Sequence, residues 1–116
     1  MRIRSLPSKQ LLRGQRALLR LDLNVPVSGL KITDDFKIIS ALPTIRQLRS
    51  IPLIIITHRG EPVTKRNSYT YQPSFSLQPV ADRLKKYLGG NIFIANGSWS
   101  DIKKQAEKLV PGDVMF

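Results

Sequence analysis

The segment Leu53-Ile-Ile-Ile-Thr57 limits the possible folds more than any other stretch of this chain. It is continuously apolar and β-branched, and too short for a helix. That pattern is expected of a strand buried on both faces of a parallel sheet. Such a strand needs parallel neighbours and covering helices, and the rest of the chain supplies both. Arg16 to Leu23 reads as a strand with partial alternation, ending at the turn-former Asn24 before Val25-Pro26. Asn91 to Ala95 reads as a third strand, and Asp113 to Phe116 as the start of a fourth. Ser28-Gly29 is a turn signal.

Helical patterns separate these strands. Asp34 and Asp35 stand where acids favour a helix N-terminus, and Phe36, Ile39, Leu42, Ile45 and Leu48 recur every three residues behind them. Pro43 is expected to kink or divide that helix, since it removes a donor and crowds the carbonyl of Ile39. Ser76 is a candidate cap for a helix with Leu77, Val80, Ala81, Leu84 and Leu88 on one face, stopped by Gly89-Gly90. Ser98 is a cap for a further helix with Trp99, Ile102, Ala106 and Leu109 inward, ended by Pro111-Gly112. Strands alternating with helices imply an α/β protein: right-handed β-α-β units forming a parallel sheet with flanking helices. An unfinished last strand is expected to leave an apolar edge around Val114 to Phe116.

With 116 residues the chain is at most one domain, large enough to bury about two-thirds of its unfolded surface. The longest apolar run, Ile51 to Ile56, is too short to cross a bilayer, so no membrane span is expected. Zero cysteines exclude disulfides and thiolate metal sites and fit a reducing cytoplasm. Five arginines and Lys9 without an acid in the first twenty residues resemble a transit peptide in composition. They are read instead as an exposed lead-in, because a strand follows at once.

Nineteen Lys and Arg against eight Asp and Glu give a net charge of +11, which favours anionic partners. The cations are spread along the chain, so a generally basic solvated surface competes with a dedicated patch. Tyr69 and Tyr71 beside Lys65, Arg66 and Asn67 could stack bases, which keeps a nucleic-acid-binding module among the readings.

Ligands of open α/β sheets bind beyond the carboxyl ends of the strands. Two strand ends here carry polar residues that packing does not require: Asp22-Leu23-Asn24, and His58-Arg59-Gly60-Glu61-Pro62. Asp22 and Asn24, two apart, can face the same side and bond a sugar-like hydroxyl. His58 and Arg59 offer donors for a phosphate or carboxylate, and Lys37 adds a cation in the first turn of the next helix. A bland reading stands beside each: a turn-shaping Asp and Asn, a structural His. No phosphate-binding Gly-rich loop is present, and a single His without Cys makes a zinc site improbable.

The order of segments then becomes specific. Leu19-Arg20-Leu21-Asp22-Leu23-Asn24-Val25-Pro26 resembles the phosphoglycerate kinase signature Leu-Arg-Val-Asp-Phe-Asn-Val-Pro. Lys31-Ile32-Thr33-Asp34-Asp35 followed by Ala41-Leu42-Pro43-Thr44-Ile45 is similar to that family's next block, mid-helix proline included. Thr57-His58-Arg59-Gly60-Glu61-Pro62 is similar to its Ser-His-Leu-Gly-Arg-Pro. Ser76 to Leu84 and Leu109 to Val114 follow in family order, so the resemblance covers nearly the whole chain.

The resemblance implies a Rossmann-like three-layer fold, here the incomplete N-terminal domain of a two-domain kinase, with residues 1–116 as a partial substrate-binding domain and the nucleotide-binding domain absent. The family transfers a phosphoryl group reversibly between ATP and 3-phosphoglycerate in glycolysis. Its N-terminal domain holds 3-phosphoglycerate in a basic patch and its C-terminal domain holds magnesium-nucleotide, so no cofactor or metal is expected on this chain. Carried over, Asp22 and Asn24 contact the substrate's hydroxyl and carboxylate end, His58 and Gly60 line the phosphate pocket, and Lys37 occupies the place of an arginine that stabilises the transferring group. Family members are typically monomeric and cytoplasmic, with no specific nucleic-acid partner.

Three departures bear on activity. Lys37 trades a planar bidentate fork for a point charge. Glu61 stands where the family has a phosphate-binding arginine, while Arg59 could restore the charge. The chain stops at Phe116, short of the family's Glu-Asn-x-Arg-Phe segment. Phosphoryl transfer depends on charge placed around both reactants. The polypeptide alone is therefore expected to be inactive, and a degenerate, non-catalytic relative is the second reading.

Overall fold

A computed structural model describes residues 5–6, 8–60 and 73–116. Glu61, Lys65, Arg66, Asn67, Tyr69 and Tyr71, on which the phosphate-repulsion and base-stacking expectations rest, lie outside the described residues.

The strands are β1 (Ala17–Arg20), β2 (Val27–Ser28), β3 (Lys31–Ile32), β4 (Leu53–Ile56), β5 (Ile92–Phe93) and β6 (Val114–Met115). The helices are α1 (Lys9–Leu12), α2 (Phe36–Leu48), α3 (Gln78–Leu88) and α4 (Trp99–Glu107), with a single 3₁₀ turn at Pro73–Phe75. Four strands form a parallel sheet in the order β1-β4-β6-β5, with Leu53 facing both Ala17 and Val114. The Ser28-Gly29 turn joins β2 and β3 into a small antiparallel hairpin. The expected α/β architecture is present.

One face of the sheet carries the core. Ala17, Leu19, Leu53, Ile55, Ile92 and Val114 point into a cluster with Ile38, Leu42, Ile45 and Leu48 of α2 and Val80, Ala81 and Leu84 of α3. Each fully buried aliphatic side chain here stabilises the fold by about 1.5–3 kcal/mol. Leu12 is also buried, so the basic lead-in is docked through one leucine and not wholly exposed. Ser98 caps α4 as expected: its hydroxyl accepts from the Asp101 N–H, and the Asp101 carboxylate accepts from the Ser98 N–H at 2.9 Å.

The structure corrects five expectations. The apolar stripe of α2 is Ile38, Leu42, Ile45 and Leu48, whereas Phe36 is 72% exposed and Ile39 also faces solvent. Spacings of four and three follow the 3.6-residue turn, and a strict repeat of three drifts off the face. Pro43 does not divide α2, which runs unbroken through it. The proline is on the exposed side, and the Ile39 carbonyl that loses its donor belongs to a solvent-facing residue. The β4 run is buried on one face only: Leu53 and Ile55 are covered, Ile54 is half-buried and Ile56 is exposed. Finally, Val114 and Met115 are buried at the centre of the sheet. The exposed apolar surface lies elsewhere, on the Leu18 and Ile56 face, where Trp99 is also exposed and not turned inward.

Candidate functional site

Because the sheet is parallel, β1 and β4 release their chains at the same edge. Backbone pairing continues one step past the strands, with the Leu21 N–H donating to the Ile56 carbonyl at 3.1 Å. Two side chains then extend the seam. The Thr57 hydroxyl accepts from the Leu23 N–H at 3.1 Å, and the Asn24 carbonyl oxygen Oδ1 accepts from the Gly60 N–H at 3.1 Å. The segments 21–24 and 57–60 thus form one platform.

Asp22 lies on this platform, its Oδ1 accepting from the Asn24 N–H at 3.1 Å and its Oδ2 from the Lys37 ammonium at 2.7 Å. The Lys37 hydrogen bond, reinforced by the Asn24 N–H, holds the Asp22 carboxyl below its ordinary value, with a smaller pull from the nearby His58. Both partners of the ion pair are substantially exposed, so it is a contact that a competing anion can reach. Lys37 is placed by the start of α2, where Asp34 accepts from the Phe36 N–H at 2.9 Å. Asp35, at the helix cap, accepts from Arg83 and from the Tyr87 hydroxyl of α3. Tyr87 first and Arg83 second draw the Asp35 carboxyl below its ordinary value. The N-terminus of α2 is thereby tied to α3.

Gly60 is the point of closest packing. Its φ is +69°, and a Cβ there would stand 2.2 Å from a Phe75 ring carbon. Only glycine meets both conditions without displacing the aromatic ring. Arg59 directs Nε to the Ser76 carbonyl at 2.8 Å and Nη2 to the Ser74 carbonyl. This draws the 3₁₀ turn back against the strand end. An open cavity of about 630 Å³, lined by Phe75 to Gln78 and by Ile94 to Asn96, adjoins this turn at the carboxyl end of β5.

Asp22, Asn24, Lys37, His58, Arg59 and Gly60 therefore all belong to one edge of the sheet. Direct contacts join Asp22 to Lys37 and Asn24 to Gly60; His58 is exposed beside them, and Arg59 turns toward the backbone of residues 74–76. Sequence reasoning missed Thr57 and Phe75. Thr57 carried a readable signal, a hydroxyl closing an otherwise apolar run, whereas nothing in the sequence placed Phe75 against Gly60. Among the described residues no group of three His, Cys, Asp or Glu side chains could hold a metal ion.

An open parallel sheet with helices about it and a polar, cation-bearing platform at the carboxyl ends of its strands defines an α/β protein, the class in which ligands bind at that edge. The phosphoglycerate kinase family model matches residues 8–116, and the chain belongs to that family. The phosphoglycerate kinase of Bifidobacterium longum strain DJO10A is 40% identical over 108 residues, covering 90% of this chain and 26% of that protein. That of Thermosipho africanus is 36% identical with the same coverage. Among solved structures, the Coxiella burnetii phosphoglycerate kinase superposes with a TM-score of 0.68 at 32% identity, over 86% of this chain and 24% of that one. The Pyrococcus horikoshii enzyme gives 0.69 at 28% identity, again over 86% and 24%. The chain spans about a quarter of the length of the relatives it matches.

Proposed function

We propose that the strand-end platform binds 3-phosphoglycerate, so that this chain is the substrate-binding part of a phosphoglycerate kinase, whose reaction is reversible phosphoryl transfer between ATP and 3-phosphoglycerate. The observation that carries the reading is the seam between residues 21–24 and 57–60, which brings Asp22, Asn24, Lys37, His58 and Gly60 to one edge. The Asn24 oxygen is engaged by the Gly60 N–H, so the NH₂ of its amide is the group left to donate to an anionic oxygen in this reading. His58 and Lys37 add donors of the kind a phosphate or carboxylate needs. Arg59 supports the platform from behind through the 3₁₀ turn.

Magnesium-nucleotide is assigned in this reading to the family's other domain, and no catalytic step is assigned to this chain. The Lys37–Asp22 pair favours a second reading, a non-catalytic relative. A lysine already bonded to a carboxylate is a weaker clamp on a transferring group than an arginine fork. No helix among the described residues is long and apolar enough to cross a membrane. A cytoplasmic monomer is proposed from membership of the family alone.

Titration with 3-phosphoglycerate, followed by backbone-amide NMR, tests the reading. Asn24, Lys37, His58 and Gly60 are expected to shift together and saturably. Lys37→Arg is expected to tighten binding by restoring bidentate geometry. Signals that move only in proportion to ionic strength, or a Lys37→Arg variant that binds no better, would remove the platform from consideration.

A further inference from the structure

Lys37 and Asp22 belong to different elements, the first turn of α2 and the segment after β1, so their 2.7 Å contact holds only while that turn keeps its place over the sheet. Core packing does not fix the turn. The buried stripe of α2 begins at Ile38, whereas Phe36 and Lys37 both face solvent. The Asp34 bond to the Phe36 N–H is local: it shapes the turn without tying it to another element.

Asp35 supplies the tie. It occupies the N-cap of α2, where a carboxylate ordinarily accepts from the N–H groups of its own helix, yet it makes no such bond. Its Oδ2 turns across to α3 and accepts from the Arg83 guanidinium and, at 2.5 Å, from the Tyr87 hydroxyl. The two donors are four residues apart, so they share one face of α3 and can converge on one oxygen. The side chains of Asp35 and Arg83 are 20% and 27% exposed, against 63% and 45% for Asp22 and Lys37, so the tie is screened less than the contact it serves.

We infer that Asp35, Arg83 and Tyr87 are positioning residues for the platform, a role that rests on the substrate reading and deepens it: together they fix the first turn of α2 and so place the Lys37 ammonium where the ligand meets it. A lysine makes this dependence strong. Its ammonium is a point charge on a flexible four-carbon stem, without the planar fork that sets an arginine's orientation, so its aim derives from where its backbone is held. Helix ends fray, and without the tie α2 can loosen as far as Ile38, the first residue that the core grips. The ammonium then leaves Asp22.

A double-mutant cycle in the whole chain tests this, with 3-phosphoglycerate affinity read from amide shifts. Tyr87→Phe removes one hydroxyl and keeps the ring; Asp35→Asn keeps the shape and removes the charge. Each is expected to weaken binding about fivefold, the lower end of couplings between sites. Amide shifts of Leu42 to Leu48 should stay unchanged and so verify that the rest of α2 is intact. On a Lys37→Met background the same substitutions should cost nothing further, since the cation they place is gone. Full affinity in both variants overturns the inference, as does a loss that persists undiminished on that background. A second readout needs no ligand: the nitrogen-15 resonance of the Lys37 ammonium, protected from exchange by its bond to Asp22, should broaden in both variants. If the parent chain shows no saturable response to 3-phosphoglycerate, or Lys37→Met leaves too little affinity to measure, this resonance decides. The first of those results removes the substrate reading, and the positioning role then stands if the resonance broadens and falls if it is unchanged. Should Asp35→Asn fail to fold, Tyr87→Phe carries the same outcomes.

Discussion

The two edges of the sheet are held by the same kind of interaction and differ in what is left over. Where the strands begin, Arg49 at the C-terminal cap of α2 donates to the carbonyls of Gly112 at 2.9 Å, Leu88 at 2.8 Å and Gly89 at 2.5 Å. One guanidinium thus ties α2 to the turn before β5 and the turn before β6, and three of its nitrogens are bonded to backbone. Where the strands end, Arg59 similarly holds the carbonyls of Ser74 and Ser76. The same edge also carries Asp22, Lys37, His58 and Asn24, none of them buried. A charge locked to backbone carbonyls rigidifies; a charge held by an exposed carboxylate can be reassigned to a ligand. The starting edge is a clamp for that reason, and the finishing edge keeps the groups that the proposed binding would use.

Removing the clamp is expected to have the largest effect. Arg49→Ala deletes three charge-assisted bonds at a half-buried position, and the urea midpoint should fall by the equivalent of about 2–3 kcal/mol. The finishing edge should retain its amide shifts with 3-phosphoglycerate wherever the variant remains folded. If Arg49→Ala instead abolished those shifts with stability intact, the two edges would not be separable as argued.

Gly60→Ala strikes the finishing edge at its tightest point. A methyl group 2.2 Å from the Phe75 ring, on a backbone at φ +69°, must displace the ring or the loop. The strain is expected to cost about 1–3 kcal/mol. It should also remove the bond from the residue-60 amide to Asn24, visible as faster exchange of that amide and loss of ligand response, an effect that Arg49→Ala lacks.

The smallest expected effect concerns pH. The Asp22 carboxyl is held below its ordinary value of 3.8 by Lys37 and the Asn24 N–H. A depressed folded-state value means that the pair stabilises the platform above that ordinary value and is lost as pH falls through the lowered one. Comparison of the parent chain with Asp22→Asn should therefore show a small stability difference at neutral pH that closes in acid. A difference that grew in acid would contradict the contact.

The chain's local patterns settled the alternation of strands and helices, the Ser98 cap and the two polar strand ends. Each of these depends on residues within a few positions of one another: a β-branched run, a hydroxyl three residues before an acid, a polar dipeptide after an apolar stretch. Family order, read from blocks such as Leu19 to Pro26, was legible for the same reason. The neighbours of β4 were not legible. Nothing local says that Leu53 pairs with Ala17 on one side and Val114 on the other, or that Ile56 faces solvent while Ile55 is buried. Those facts depend on which helix covers which face, a property of the assembled sheet.

The same division runs through the site. Asp22, Asn24, Lys37, His58 and Gly60 are visible as residue types in suggestive positions. Their meeting depends on β1 and β4 being parallel neighbours, as the bond between Leu23 and Thr57, 34 residues apart in sequence, records. Arg59 reads as a ligand donor in sequence because its charge is visible there. Its bonds to Ser74 and Ser76 exist only once the chain returns to that edge through the 3₁₀ turn. Sequence determines which groups are available at short range. Tertiary structure decides which of them satisfy one another and which remain for a partner, because hydrogen bonds across the fold are formed only when distant backbone is brought within about 3 Å.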